Sequence, residues 1–372
     1  MLSRKFLLLF SFYISYLWFT NIGTSILPAH FLAQNLNFEQ MIFGIFLKFI
    51  GQILLLVALT TFTAKLSWRL ALISSLIYVL LSVTIYNVFQ FYLASFIGGF
   101  TMFFFFLFYN IAHFVSTPKK QRGHGAALMF IIPSFIGILA PLLAGVIAEV
   151  NIIFLWIISI LSFALSFYII KFQEDFKISY NLITAIKEIK ATRSLIFIEG
   201  IWEAMVFAVL PIYTLYFIKT PLNYGAFLAY LALVSIVANI VLGKLTDRLQ
   251  KRVIFLYPLT IIMACTTILF AVFKSNILNW IILASVIQFL LPLFWNVSTA
   301  MVIDSHPNLE QAIPGREFML ATGRVLGLLI AFISFSLEKS PYYVFLILGG
   351  IFFLYPLKLF WNSKISKAFS YL

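Results

Sequence analysis

Four ionisable side chains interrupt long apolar runs of this 372-residue chain: Lys48, Glu199, Glu203 and Arg324. They are conspicuous because 63% of the chain is hydrophobic and only 10% is charged. In hydrocarbon, an ionised side chain is costly and is retained mainly where it has a partner or a function. We therefore expect these residues to neutralise one another or to face a water-filled cavity, where they could bind a polar ligand or a proton.

The two carboxylates are the strongest candidates for proton exchange. Glu199 and Glu203 are four residues apart, so they share one face of a helix. Neighbouring carboxylates repel each other, which favours the retention of a proton on one of them. Glu203 is the better candidate because it lies deeper in its apolar run. For Glu199, an alternative interpretation is that it lies near a membrane surface and is simply solvated.

The elements that must position these residues are membrane spans. Mean hydropathy is +1.06, and a soluble core cannot hide so much apolar surface. A spanning helix needs about 20 mostly apolar residues, whereas a membrane barrel shows short alternating segments. The sequence therefore predicts an all-α membrane protein with twelve spans. The candidates are Lys5–Phe31, Glu39–Phe62, Leu70–Tyr86, Val88–Val115, Gly125–Ala148, Asn151–Phe172, Ser194–Ile218, Asn223–Gly243, Val253–Phe273, Ile277–Ile303, Glu317–Leu337 and Tyr342–Trp361.

The distribution of basic residues predicts the orientation. If the N-terminus is cytoplasmic, the outer segments hold only Lys219, Lys274 and Lys339, and the other basic residues of the connecting segments lie inside. Short cytoplasmic loops carry such an excess of basic residues. We therefore predict a protein of the cell membrane with both termini in the cytoplasm. The first run is too long for the apolar region of a cleaved signal peptide, so we interpret it as span 1.

The longest inner segment divides the chain into halves. We predict an N-terminal six-helix bundle at residues 1–172, a linker at 173–193 and a C-terminal six-helix bundle at 194–372. The linker is predicted to contain an amphipathic helix on the inner membrane surface. Its aliphatic residues recur near helical spacing, at Ile178, Leu182, Ile183, Ile186 and Ile189.

Two short motifs recur in the same order in both halves. Lys65–Arg69 follows span 2 and Lys244–Arg248 follows span 8, while Leu-Pro occurs in span 1 and again in span 7. Both copies have the same predicted orientation, which indicates a parallel internal repeat.

A charged stretch between spans 8 and 9 carries a family signature. Residues 243–252 read Gly-Lys-Leu-Thr-Asp-Arg-Leu-Gln-Lys-Arg and are predicted to form a loop. This pattern resembles Gly-x-x-x-Asp-Arg-x-Gly-basic-basic of the major facilitator superfamily, with Gln250 in place of the later Gly. In the first copy, Ala64 and Trp68 replace the Gly and the acid.

A second pattern lies in span 5. Gly137, Pro141 and Gly145 are similar to the Gly/Pro-rich fifth-span signature of that superfamily's antiporters. An ordinary membrane helix with small residues at its packing face is the alternative. Span 4 has Ser95 near the position where proton antiporters of the family have Arg, which weighs against a drug/proton antiporter.

The resemblance implies two six-helix bundles and secondary transport of a small molecule by alternating access, with proton coupling as one form of it. It implies that spans 2, 7 and 11 lie together, so Lys48, Glu203 and Arg324 are expected to form one cluster. Polar residues of other cavity spans are further candidates for ligand contact: Asn21, Asn110, Gln288, Trp295 and Asn296. The gating residues that the resemblance implies are Gly243, Asp247, Arg248, Gly137, Pro141 and Gly145, with Asp247 capping a helix of the opposite half.

Other classes of function receive less support. A membrane enzyme acting on a lipid-linked substrate would use acids at one membrane face, and the one such group is Asp304, His306, Glu310 and Glu317. A non-transporting receptor of the same fold is a third alternative. The net charge of +13 is spread over short loops, so we expect no nucleic acid. We expect lipid, an unknown small molecule and protons as partners of a monomer, and no cofactor or metal.

Overall fold

The computed structural model describes residues 4–116, 122–248, 252–306, 308–338 and 341–365. Within them, twelve helical segments are long and apolar enough to cross a membrane, as predicted. The twelve spans are Lys5–Ala33, Phe38–Ala58, Ala64–Val83, Val88–His113, Pro133–Asn151, Phe154–Phe172, Arg193–Thr214, Pro221–Val241, Val253–Phe273, Ile277–Ile303, Leu309–Leu337 and Tyr342–Asn362.

Most spans contain one α-helix, and spans 1, 4, 7 and 12 contain two. The helices are α1 (Arg4–Thr24), α2 (Leu27–Ala33), α3 (Phe38–Ala58), α4 (Ala64–Val83), α5 (Val88–Thr101), α6 (Phe108–Ser116), α7 (Arg122–Asn151), α8 (Phe154–Ile169), α9 (Leu182–Glu188), α10 (Arg193–Ala204), α11 (Leu210–Thr214), α12 (Pro221–Arg248), α13 (Leu256–Phe273), α14 (Ile277–Ser305), α15 (Leu309–Glu338), α16 (Tyr342–Phe352) and α17 (Leu354–Ile365). Two π-helical segments, Met102–Leu107 and Met205–Val209, interrupt spans 4 and 7, and 3₁₀ turns occur at Ile170–Phe172 and Arg252–Phe255.

The chain forms two compact units. Unit 1 comprises Met1–Tyr180 with Ile218–Leu233, and unit 2 comprises Asn181–Phe217 with Val234–Leu372. The first part of span 8 therefore groups with the N-terminal spans. The predicted division at residues 173–193 remains a prediction, although the boundary between the units lies within that segment.

Glycine and aromatic residues shape the core of unit 1. Spans 2 and 4 approach closely because Gly99 of span 4 lies against the backbone of Lys48, and Gly51 lies against the Phe96 carbonyl. Spans 1 and 4 meet through stacked rings, with Tyr16 and Phe105 centroids 3.4 Å apart. The π-helical segment of span 4 adds one residue per turn, and it buries the rings of Phe103, Phe104 and Phe105.

The first copy of the repeated motif anchors the linker. Strand β1 (Thr61–Thr63) pairs antiparallel with β2 (Lys177–Ser179), and the Tyr180 hydroxyl donates to the Leu56 carbonyl at 2.7 Å. Burial raises the pKa of that phenol, which keeps the donor proton in place. The predicted amphipathic helix was wrong in part, because Ile178 lies in β2 and the helix begins at Leu182. Strand β1 presents backbone groups that need partners, and β2 supplies them.

The linker also lies against the first turn of α4 and against Trp68, which stands at the position of the motif's acid. The Lys65 backbone N–H, in the first turn of α4, donates to Asp175 Oδ1 at 3.0 Å, so the linker supplies a carboxylate there. Trp68 is 1% exposed and packs against Phe12 and Phe176. An apolar ring fits position 68 because the linker covers it.

The second half of the linker belongs to unit 2. Helix α9 packs its Ala185 carbonyl against Gly315 of span 11, while Ile183 on its other side is 66% exposed. Beyond the helix, Thr192 Oγ1 and His306 Nε2 are 3.1 Å apart. Burial lowers the pKa of His306, and the Glu188 carboxylate partly opposes that shift. The location of α9 on a membrane surface remains a prediction.

We predict that Asp175→Ala lowers the stability of unit 1. The substitution leaves a backbone N–H in the first turn of α4 without its acceptor, which costs about 1 kcal/mol by analogy with helix caps. The measurement is thermal unfolding in detergent. Glu174→Ala is the matched control, because Glu174 forms only an exposed pair with Lys5, which contributes little. Equal shifts for the two variants would contradict the assigned role of Asp175.

Candidate functional site

A buried ion pair joins spans 7 and 11. Arg324 places Nη2 2.6 Å and Nε 2.7 Å from Glu203 Oε2. The indole N–H of Trp295, from span 10, donates to the other carboxylate oxygen, Oε1, at 2.6 Å. Glu203 is 1% and Arg324 8% exposed, so the pair is removed from solvent. Such a pair is tolerated in a low-dielectric core because each charge has a partner and additional hydrogen bonds.

Glycines allow the two helices to approach closely enough for this pairing. A Cβ at Gly323 would lie 2.9 Å from the Cα of Gly200, and one at Gly327 would lie 2.7 Å from the Cβ of Ala204. The backbones of spans 7 and 11 are therefore in direct contact along one face. Glu203 and Arg324 lie next to this contact, which fixes the separation of their side chains.

Aromatic rings flank the ion pair. The Arg324 guanidinium lies 4.8 Å from the Phe207 ring centroid, a distance at which a cation is attracted to the ring face. The rings of Phe207 and Trp295 are 6.2 Å apart and nearly parallel. Phe207 lies in the π-helical segment Met205–Val209, and such irregular turns are frequent at functional sites.

A second group of polar residues surrounds Glu199, which lies one helical turn before Glu203 in span 7. Glu199 is 2% exposed, so the interpretation of a solvated residue is wrong. Ser298 Oγ lies 3.3 Å from Glu199 Oε1, and Arg316 Nη2 lies 3.7 Å from it. Arg316 donates to Glu317 at 3.0 Å and to Thr299 at 3.1 Å. We call Glu199, Ser298, Thr299, Arg316 and Glu317 the inner group.

The structure brings together some of the predicted residues. Glu203, Arg324 and Trp295 form one contact group, with Glu199 close by. Lys48 belongs to unit 1, where its amine lies 5.2 Å from the Tyr78 ring centroid, and its membership of a common cluster remains a prediction. Asn21 donates to the Leu17 carbonyl of its own helix at 2.8 Å. The remaining candidates are half-buried on spans 4 and 10: Asn110, Gln288 and Asn296.

Sequence reasoning missed Arg316, Ser298 and Phe207 and assigned Glu317 to a different group. The sequence Pro314-Gly315-Arg316-Glu317 is typical of a loop, so span 11 was predicted to begin too late. Helix α15 instead begins at Leu309, and Gly315 lies where α9 packs. Arg316 is thus a residue of the helix interior, with a side chain that is 13% exposed. One feature of the sequence could have identified Arg316, namely its positive charge eight residues before Arg324.

The predicted gating residues fall into two sets. Span 5 packs on the start of span 8, with the Pro141 carbonyl against Gly225 and Gly145 against Pro221 and Leu222. Gly137 lies against Ala232. In the second set, the backbones of Gly243, Asp247 and Arg248 are helical, so the predicted loop was wrong at its start. Their side chains lie outside the described residues, and the gating roles remain predictions.

The described members of the group that would support an enzyme have different surroundings. Glu317 contacts Arg316, His306 contacts Thr192, and Glu310 is exposed. The side chain of Asp304 lies outside the described part of the chain. Within the described residues, no three His, Cys, Asp or Glu side chains are arranged to hold a metal ion.

Comparison with known proteins assigns the family. Twelve apolar spans, two of them joined by a buried ion pair, define a multi-pass membrane protein. The sequence model of the Major Facilitator Superfamily matches residues 8–313, and the chain belongs to that superfamily. It is a secondary transporter of small molecules. No curated protein sequence matches the chain.

Two solved structures share the fold. One is the crystal structure of the human organic anion transporter MFSD10 (TETRAN), with a TM-score of 0.71 and 12% identity, covering 96% of this chain and 100% of that one. The other is the superfamily transporter FucP in the outward conformation, with a TM-score of 0.65 and 14% identity, covering 97% and 99%. At these identities the likeness concerns the fold alone.

We predict that Gly327→Ala destabilises unit 2. The added Cβ would meet the Ile201 carbonyl and the Ala204 methyl group, so spans 7 and 11 must separate. Overpacking of this kind costs about 1–3 kcal/mol. Gly350→Ala is the matched control, since a Cβ there meets nothing within 4 Å and Ala favours a helix. The measurement is thermal unfolding in detergent, and equal stability of the two variants would contradict the close helix contact.

Proposed function

We propose that this protein transports a small molecule bearing an acidic group, with coupling to protons through Glu203 and Arg324. The observation that carries the proposal is the buried ion pair between spans 7 and 11, with its indole donor. An arginine remains protonated in proteins, whereas a carboxylate can accept a proton. The pair can therefore be opened by protonation of Glu203.

The coupling follows from competition for one guanidinium. While Glu203 is ionised, it pairs with Arg324 and the two charges neutralise each other. An anionic cargo then has no free positive charge to bind. When Glu203 is protonated, Arg324 needs a new counter-charge because an unpaired buried cation is costly. Proton and anion then bind together, and by linkage each increases the affinity for the other. Phe207 and Trp295 offer apolar surface beside the acidic group.

One protein of similar fold has a description that agrees with an anionic cargo. The human protein of similar fold is described as an organic anion transporter. Because that likeness concerns only the fold, the proposal of an anionic cargo depends on Arg324 and its surroundings. We also propose that the protein works by alternating access, that it lies in the cell membrane with both termini in the cytoplasm, and that it is a monomer. These proposals depend on the sequence features. Gating by Asp247 and by the contacts of Gly137, Pro141 and Gly145 belongs to the same proposal.

An enzymatic role is less well supported. The described members of the group that would serve a lipid-linked substrate have different partners, since Glu317 pairs with Arg316, His306 contacts Thr192 and Glu310 is exposed. We therefore propose that the chain is a transporter without enzymatic activity. Hydrolysis or group transfer on a lipid-linked substrate by the purified protein would contradict this.

The cargo class can be tested by thermal shift in detergent. We expect small mono- and dicarboxylates to raise the melting temperature of the protein more than amines or neutral sugars of similar size. Arg324→Gln should abolish that shift, while Lys358→Gln, a change of charge near the inner end of span 12, should retain it. Stabilisation by amines or sugars alone would contradict an anionic cargo.

Coupling can be tested in proteoliposomes with the carboxylate that gives the largest thermal shift. We predict that Glu203→Gln abolishes uptake driven by a pH gradient but retains counterflow, because Gln mimics the protonated acid permanently. Glu310→Gln is the matched control, since Glu310 is an exposed acid of span 11, and both activities should persist. Unchanged pH-driven uptake in Glu203→Gln would exclude Glu203 as the coupling residue.

A further inference from the structure

The charges around Glu203 and the inner group do not balance. Within the described residues of unit 2, the two contact groups contain three carboxylates, Glu199, Glu203 and Glu317, and two guanidinium groups, Arg316 and Arg324. The three carboxylate side chains are 2%, 2% and 8% exposed, so water cannot screen the excess negative charge. A buried charge without a partner is strongly unfavourable, and the usual remedy is a change of protonation.

The contacts distinguish the three carboxylates. Glu203 receives hydrogen bonds from Arg324 and Trp295, and Glu317 receives one from Arg316 at 3.0 Å. Glu199 has only a neutral hydroxyl at 3.3 Å and Arg316 at 3.7 Å, which is longer than a hydrogen bond. Glu199 is therefore the carboxylate that is least compensated by positive charge.

The hydroxyl of Ser298 gives a second, independent indication. Its oxygen lies 3.3 Å from Glu199 Oε1 and 3.3 Å from the Trp295 carbonyl oxygen. A hydroxyl carries one hydrogen, so it can donate fully to only one of these two acceptors. If Glu199 carries a proton, Ser298 accepts from Glu199 and donates to the carbonyl, and both contacts become complete hydrogen bonds.

We propose that Glu199 holds an exchangeable proton. Arg316 keeps the proton on Glu199 because it remains paired with Glu317 and so does not neutralise the Glu199 carboxylate. This inference rests on the proposed function for its role in transport. When an acidic cargo displaces Glu203 from Arg324, the O–H bond of Glu199 breaks and an O–H bond forms on Glu203, one helical turn away. The total charge of the two groups does not change in this step, and solvent protons later reload Glu199.

Other charged or titratable groups around Glu199 are few in the described residues. Arg316 faces it from span 11 and is itself paired with Glu317, and Arg324 and Glu203 lie one turn further along. Tyr355 of span 12, which is fully buried, interacts electrostatically with Glu199.

The test is infrared spectroscopy of the purified protein at pH 7, which detects the C=O stretch of a protonated carboxyl group. We expect this band in the unmodified protein and its loss in Glu199→Gln. The melting temperature of Glu199→Gln should stay close to that of the unmodified protein, because Gln matches the neutral acid in shape and charge. The control Glu310→Gln should retain the band, and Ser298→Ala should shift its frequency by removing the acceptor.

A further variant tests the role of Arg316. Glu317→Gln should abolish the band although Glu199 is present, because Arg316 is then free to pair with Glu199. A missing band in the unmodified protein, its persistence in Glu199→Gln, or a large fall in melting temperature for that variant would overturn the proposal. These measurements need no transport, so they fail or succeed independently of the pH-driven uptake assay.

Discussion

The close contact between spans 7 and 11 is the constraint on which the candidate site depends. Gly200, Gly323 and Gly327 remove the side chains that would hold these helices apart. Only at that separation can Arg324 reach Glu203 with two of its nitrogens while Trp295 completes the carboxylate's hydrogen bonds. In an apolar protein, the ion pair does not hold the helices together by itself, because burial of two charges costs about as much as their attraction returns. Helix packing provides the stability, and the ion pair provides chemistry that can be switched by one proton.

The sequence predicts the spans and the central pair better than it predicts the surroundings. Hydropathy and length identify twelve spans because lipid imposes the same requirement on each of them. Glu203 and Arg324 are recognisable because ionised residues in apolar runs need a reason to be there. Arg316 was missed because a Pro-Gly pair predicts a loop, whereas the helix tolerates Pro314 in its early turns and uses Gly315 as a packing point for α9. Contacts such as Ser298 with Glu199 depend on three helices at once, and no local pattern encodes them.

The two copies of the repeated motif illustrate how a departure from a family pattern can be read physically. The first copy lacks the acid, and Trp68 occupies its place. In the structure, the Asp175 carboxylate contacts the first turn of α4 from the linker, and the indole is covered by Phe176. A negative charge near the N-terminus of α4 is therefore supplied by a residue more than one hundred positions away in sequence. That contact ties the first part of the linker to α4.

Electrostatic chemistry is concentrated in unit 2, while aromatic packing dominates the interior of unit 1. Among the described residues, the buried ion pairs lie between spans 7 and 11 or within span 11, and the stacked rings of Tyr13, Tyr16, Phe105 and Tyr109 join spans 1 and 4. A stacked aromatic core responds weakly to pH, because its groups stay neutral over the physiological range. A group of three carboxylates and two guanidinium groups responds strongly, because one proton changes its total charge between zero and minus one. The proton coupling that we propose therefore has its physical basis in unit 2, with the adjacent carboxylates of span 7 as the two proposed sites for the same proton.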